Sequence, residues 1–135
     1  MTSYPDSYYA ASANKAVNYP QLEGDITADV CVVGGGYSGL STAIALQEKG
    51  YNVVLLEAAN IGFGASGRNG GQLVNSFSRD IDHIEKHYGI DTANAMGNMA
   101  FEGADCIRGL IKKYNIDADY KQGGFFAAFK WVNHF

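Results

Sequence analysis

The sequence predicts an α/β fold organised around one strand–turn–helix–strand unit between residues 29 and 57. Two short apolar runs, at residues 30–33 and 53–56, have the length and composition of buried parallel strands. Three glycines stop the first run, and residues 37–49 carry small apolar side chains at helical spacing before Gly50. Because parallel strands require a crossover connection, these observations together predict a right-handed βαβ unit.

The glycines that follow the first strand fit the G-x-G-x-x-G pattern of a Rossmann-like dinucleotide site. Gly34 permits the tight turn, Gly36 lets a pyrophosphate approach the backbone, and Gly39 lets the helix lie close to the strand. The helix begins at Tyr37 and Ser38, where free N–H groups and the positive end of the helix dipole favour phosphate. A tight turn without a ligand is the alternative interpretation.

The residues after the second strand favour FAD over NAD(P). Glu57 stands where such sites place the acid that accepts hydrogen bonds from ribose, and its charge would repel the 2′-phosphate of NADP. An NAD domain would continue into further strand–helix units, whereas residues 61–72 form a glycine-rich segment. This segment suits an extended cofactor, and Arg68 supplies a cation for a phosphate or a substrate carboxylate. A surface loop without a ligand is the alternative.

Two helices are predicted beyond the glycine-rich segment. Ile81, Ile84 and Tyr88 mark a short amphipathic helix closed by Gly89, and Asp91 is the predicted cap of a longer one. Glycines inside the longer helix lower its intrinsic propensity, which indicates close packing against a neighbour. These are Gly97, Gly103 and Gly109.

The predicted domain division has three parts. Residues 1–24 form an arm that packs through aromatic rings, and residues 25–115 form the N-terminal part of an FAD-binding domain. Residues 116–135 are predicted to form the first hairpin of a substrate domain, since apolar residues alternate on both sides of Gly123 and Gly124. An aromatic hairpin with nothing to cover it predicts that the chain is the front part of a longer, truncated protein.

Composition and charge restrict the partners. The formal net charge of −4, without a basic cluster, argues against nucleic acid or an anionic membrane surface. No apolar run approaches the roughly 20 residues of a membrane span, and no signal peptide is evident, so a cytoplasmic protein is expected. Cys31 and Cys106 are expected to be buried thiols in a reducing compartment. His83 and His87 have a spacing that can bind zinc, but without a third ligand they are assigned to a solvated helix face.

Three stretches, residues 30–39, 55–58 and 61–72, resemble the N-terminal part of the FAD-dependent amine oxidases of the D-amino-acid oxidase superfamily. The resemblance is strongest to the branch that serves bacterial putrescine catabolism, and it extends to about Phe129. It implies an oxidoreductase that uses FAD, with a small-molecule amine and oxygen as reactants. Hydride would pass from the carbon bearing a neutral amine to flavin N5. The imine would hydrolyse to aldehyde and ammonia, and oxygen would reoxidise the flavin to give hydrogen peroxide.

The same resemblance implies roles for individual residues. Gly34, Gly36 and Gly39 would bind the pyrophosphate, Glu57 the adenosine ribose, and Ser66 would lie near the phosphates. The residues expected to approach the flavin ring are Arg68, Asn69, Gly70 and Gln72. No catalytic base is identified. Two alternative hypotheses remain. The chain is an inactive truncated remnant that binds FAD or ADP without turnover, or it is a small NAD-binding module.

Overall fold

In a computed structural model, the described residues are 4, 6–14, 17–75, 77–78 and 80–124. They fall into two compact units, Met1–Gly71 and Gln72–Phe135. The first unit contains helix α1 (Tyr8–Ser12), strand β1 (Val30–Val33), helix α2 (Tyr37–Glu48), strand β2 (Val53–Leu56) and a 3₁₀ turn at Ala65–Gly67. The second unit contains helices α3 (Ile81–Tyr88) and α4 (Ile90–Lys113).

The predicted strand–helix–strand unit is confirmed. β1 and β2 are parallel, in a register that runs from Val30 opposite Val53 to Val33 opposite Leu56. Helix α2 connects the two strands and packs on both. The helix is followed by Gly50, whose φ of 90° turns the chain back toward β2.

The strands are less buried than expected, since no residue of β1 or β2 is fully buried and β2 is half-buried along its whole length. β1 alternates between half-buried and exposed positions, with Cys31 exposed and Val33 82% exposed. The described sheet has two strands, and α2 packs on one of its faces, so alternate side chains point to the uncovered face. Cys106 of α4 is also exposed, so neither cysteine is the buried thiol that was expected.

The N-terminal arm makes some of the aromatic contacts predicted for it. The ring of Tyr4 lies 6.2 Å from the ring of Phe63, between centroids. Sequence periodicity did not predict α1, which begins where the Ser7 hydroxyl accepts a backbone hydrogen bond at 3.2 Å. Tyr8 and Tyr9 of this helix pack edge to face at 5.7 Å, and Tyr8 is 75% exposed.

Helices α3 and α4 of the second unit, both predicted from apolar spacing, pack against each other. Their buried residues are Ile84, Ala93 and Ala104. Gly89, with a φ of 85°, ends α3 and directly precedes α4. The prediction that Asp91 caps α4 is wrong, because the helix already begins at Ile90. Asp91 lies in the first turn instead, where its carboxylate interacts favourably with the helix dipole.

The glycines inside α4 do not mark a close contact, contrary to expectation. At each of them, a Cβ would meet no other described atom within 4 Å. These positions are Gly97, Gly103 and Gly109. No helix among the described residues is long and apolar enough to cross a membrane.

The predicted C-terminal hairpin is not confirmed. Residues 116–124 form no strand. Asn115 and Asp119 have φ values of 48° and 47°, in the left-handed region, which interrupts the extended backbone that the alternating pattern predicted. The second half of the hairpin, residues 125–135, lies outside the described residues.

Candidate dinucleotide site

The turn after β1 depends on contacts that glycine alone permits. Gly34 has a φ of 102°, and its N–H donates to the Leu56 carbonyl at 2.7 Å. A Cβ on Gly39 would overlap the carbonyl oxygen of Gly34, so the start of α2 lies directly against the end of β1. This geometry agrees with the steric reasons for which glycine was expected at both positions.

Glu57 is bound to the same turn through its carboxylate. Oε2 accepts a hydrogen bond from the Gly35 N–H at 2.7 Å, and Oε1 accepts one from the Ala59 N–H at 2.9 Å. Sequence reasoning gave Glu57 a role toward ribose and missed these backbone partners. With a further bond from the Ala58 N–H, three of the roughly four acceptor positions of the carboxylate are used, which leaves capacity for a ribose hydroxyl. The Gly35 N–H, followed by those of Ala59 and Ala58, lowers the pKa of this half-buried carboxyl, whereas desolvation opposes the shift.

The lowered pKa of Glu57 predicts how stability depends on pH. The contribution is fully present above the ordinary value of 4.5 and is lost as the pH falls through the lower folded-state pKa. The free energy of unfolding of the wild type should therefore fall more steeply below pH 4.5 than that of Glu57→Gln. Urea unfolding between about pH 3 and 6 measures this. The exposed α4 variant Glu102→Gln should keep the wild-type slope, and parallel profiles for wild type and Glu57→Gln would contradict the prediction.

The N-terminus of α2 presents unpaired backbone donors. The first hydrogen bond of the helix runs from the Leu40 N–H to the Gly36 carbonyl at 2.9 Å. The Tyr37 N–H donates to the Ser66 hydroxyl at 3.0 Å. The three remaining donors of the first turn have no acceptor among the described residues, and they belong to Gly36, Ser38 and Gly39. Such a donor set at the positive end of a helix dipole fits a pyrophosphate.

The glycine-rich segment is bonded to this turn. The Gly62 N–H donates to the Gly35 carbonyl at 2.9 Å. A Cβ on Gly35 would overlap the end of the Ile61 side chain, and a Cβ on Gly67 would overlap the Gly62 carbonyl oxygen. A Cβ on Gly36 would lie 2.9 Å from the Ser66 hydroxyl oxygen. The segment and the turn therefore form one close-packed assembly of backbone.

Asn69 and Arg68 are held by contacts within the protein. Asn69 Nδ2 lies 2.8 Å from both the Tyr37 hydroxyl and the Ser66 carbonyl, and Asn69 Oδ1 accepts the Gly71 N–H at 2.8 Å. Arg68 Nε donates to the Phe63 carbonyl at 2.9 Å, and its guanidinium lies 4.9 Å from the centre of the Phe63 ring. Asn69 thus connects the start of α2 to the glycine-rich segment.

The structure gathers most of the residues singled out from the sequence. Gathered around the turn or the segment bonded to it are Gly34, Gly36, Tyr37, Ser38, Gly39, Glu57, Ser66 and Asn69. Gly70 is exposed next to Asn69, and Gln72 is an exposed residue of the second unit. The sequence analysis did not assign Gly35 or Ile61 to the site. Two features could have indicated them: Gly35 is the middle residue of three consecutive glycines, and Ile61 is the first residue of the glycine-rich segment. The rings of His83 and His87 on α3 lie 4.3 Å apart between centroids and are tilted by 47° to each other.

Comparison with known proteins identifies the family behind this geometry. The sequence profile of the family described as DAO, FAD dependent oxidoreductase, matches residues 29–134. The chain belongs to this family. The DAO family depends on FAD, which confirms the choice of FAD over NAD(P) made from Glu57 and the glycine-rich segment. It also confirms the resemblance inferred from the sequence.

Three of the curated proteins that the chain resembles are named as oxidoreductases. Gamma-glutamylputrescine oxidoreductase of Escherichia coli K12 is 64% identical over 128 residues, which are 95% of this chain and 30% of that protein. Proteins named "Probable oxidoreductase OrdL" from Haemophilus influenzae and Rhizobium meliloti are 48% and 34% identical, each over 87% of this chain and 27% of the relative. The chain therefore spans about three tenths of the length of the relatives it matches. No solved structure matches it significantly.

Proposed function

We propose that this DAO-family chain supplies the ADP-binding part of an FAD-dependent oxidoreductase that oxidises a C–N bond of an amine. The name of the 64% identical E. coli relative supports gamma-glutamylputrescine as the amine. The products would be an aldehyde and ammonia, with oxygen as the final electron acceptor and hydrogen peroxide formed from it. In the domain division that fits this proposal, residues 25–115 bind the cofactor and residues 116–135 begin the substrate domain.

The observation that carries the proposal is the set of unpaired donors beside Glu57. The N–H groups of Gly36, Ser38 and Gly39 would donate to the pyrophosphate, and the Ser66 hydroxyl, while accepting from Tyr37, could donate its own proton to a phosphate oxygen. The remaining acceptor position of Glu57 would take a ribose hydroxyl. Gly34 would serve the pyrophosphate by forming the turn that brings these N–H groups to it.

The residues after Ser66 would serve the flavin end of the cofactor. Bound FAD supplies the hydride acceptor for oxidation of the amine. The residues proposed to approach the flavin are Arg68, Asn69, Gly70 and Gln72. Within this group, Asn69 would act chiefly by positioning its neighbours, because one of its hydrogen bonds reaches Tyr37 of α2 and two hold the backbone of the segment itself. Arg68 Nε donates to Phe63, and the two terminal nitrogens, which have no hydrogen-bond partner among the described residues, would be available for an anion.

Calorimetric titration of the purified chain tests the proposal. ADP is expected to bind, and FAD is expected to compete with ADP. Adenosine 2′,5′-bisphosphate is expected to bind at least about tenfold more weakly than AMP, because Glu57 repels the 2′-phosphate that alone distinguishes the two ligands. Absence of ADP binding, or equal affinity for AMP and the bisphosphate, would overturn the assignment of the site. Peroxide release after adding gamma-glutamylputrescine to the FAD-loaded chain tests the reaction. Flavin retention without peroxide would indicate a binding remnant instead.

A further inference from the structure

The N-terminal arm touches the residues that brace the glycine turn. The Tyr4 hydroxyl donates a hydrogen bond to the Ile61 carbonyl. Ile61 places its side chain against Gly35, and the next residue, Gly62, donates its N–H to the Gly35 carbonyl at 2.9 Å. Ile61 and Gly62 therefore both contact Gly35, and Tyr4 of the N-terminal arm is hydrogen-bonded to Ile61. The ring of Tyr4 also contacts the ring of Phe63, two residues after Ile61, with the centroids 6.2 Å apart.

The contacts between the arm and the glycine-rich segment include two tyrosine hydroxyls, those of Tyr4 and Tyr9. The Tyr9 hydroxyl lies so close to Gly71 that a Cβ there would overlap it. The arm and residues 61–68 together line a pocket of about 260 Å³, so packing between them is incomplete. The Tyr4 hydroxyl is therefore a discrete point of attachment, and its removal would leave the surrounding chain without a large packing defect.

We infer that Tyr4 is a positioning residue for the dinucleotide site: through Ile61 and Gly62, it fixes the turn whose neighbouring N–H groups receive the pyrophosphate. This inference rests on the proposed function, since it concerns the same site. Tyr4 touches no ligand in this arrangement. Its hydrogen bond restrains the Gly35 backbone, and a restrained site loses less conformational freedom when it binds.

Tyr4→Phe tests the inference because it keeps the ring and removes only the hydroxyl. The Kd for ADP should rise by about two- to tenfold, as the loss of one hydrogen bond predicts. Tyr8→Phe is the matched control, since Tyr8 is 75% exposed and its hydroxyl makes no hydrogen bond within the described part of the chain. Tyr8→Phe should bind ADP like the wild type.

Amide hydrogen exchange in the ligand-free chain separates positioning from general loss of stability. In Tyr4→Phe the Gly62 amide should exchange several-fold faster, while the β2 amides keep their rates. Faster exchange throughout the unit would indicate destabilisation alone and would overturn the inference. If wild type binds ADP and the two variants bind it equally well, the inference fails and the proposed function stands. If wild type binds no ADP, the proposed function fails and the inference falls with it.

Discussion

Gly39→Ala is expected to lower the free energy of unfolding of the first unit by about 3 kcal/mol and to abolish measurable ADP binding. The added Cβ would overlap the Gly34 carbonyl oxygen, which is backbone and cannot rotate away as a side chain could. Relief requires α2 to move off the end of β1. That movement would displace the unpaired N–H groups at the helix start, so stability and affinity should fall together. Urea unfolding and calorimetric titration with ADP measure the two effects.

Gly103→Ala provides a matched control for Gly39→Ala. Both positions are helical, but a Cβ on Gly103 would meet no described atom within 4 Å. This variant should gain about 0.5–1 kcal/mol of stability, because alanine restricts the unfolded chain and favours the helix. Its ADP affinity should not change. A Gly39→Ala protein as stable as the wild type would show that α2 can leave the strand at little cost.

Glu57→Ala is expected to raise the Kd for ADP by about ten- to a hundredfold, the effect of losing hydrogen bonds to a charged acceptor. Two causes contribute. The substitution removes the proposed partner of the ribose hydroxyls, and it releases the Gly35 N–H, which Glu57 holds at 2.7 Å. Glu102→Ala, at an exposed position of α4, should leave the affinity unchanged.

The two causes can be separated with a ligand that lacks the ribose hydroxyls. Titration of wild type and Glu57→Ala with ADP and with 2′,3′-dideoxy-ADP forms a thermodynamic cycle. If Glu57 binds ribose, the substitution should weaken dideoxy-ADP much less than ADP. Equal losses for both ligands would show that Glu57 acts only through the turn. Undiminished ADP affinity would remove Glu57 from the site.

The parts of the fold that the sequence predicted depend on interactions between near neighbours. The strand–helix–strand unit follows from two apolar runs, a glycine turn and a glycine stop, all within about thirty residues. The glycine positions carry a steric requirement, so Gly34 and Gly39 could be assigned individually. The helices α3 and α4 followed in the same way from apolar spacing and from Gly89.

The remaining features depend on contacts that one-dimensional patterns do not contain. The exposure of Val33 follows from how many elements cover the sheet, not from its own apolar side chain. Asp119 breaks the expected strand through a local backbone conformation that alternation does not report. The side chains of Glu57 and Asn69 were expected to form hydrogen bonds because they are polar. Their backbone partners could not be predicted, because they depend on how the glycine-rich segment folds onto the turn.

The two bonds made by Gly35 also limit insertions and deletions. The Gly35 N–H donates to the Glu57 side chain, and the Gly35 carbonyl accepts from the Gly62 N–H. Glu57 and Gly62 flank the short connection at residues 58–61, so Gly35 fixes both of its ends. Connections between secondary-structure elements usually tolerate changes of length. Here one added residue would force the chain to release one end or to bulge between two fixed points. The connection therefore acts as a spacer of set length, and its residue count should be as restricted as the identity of the glycines beside it.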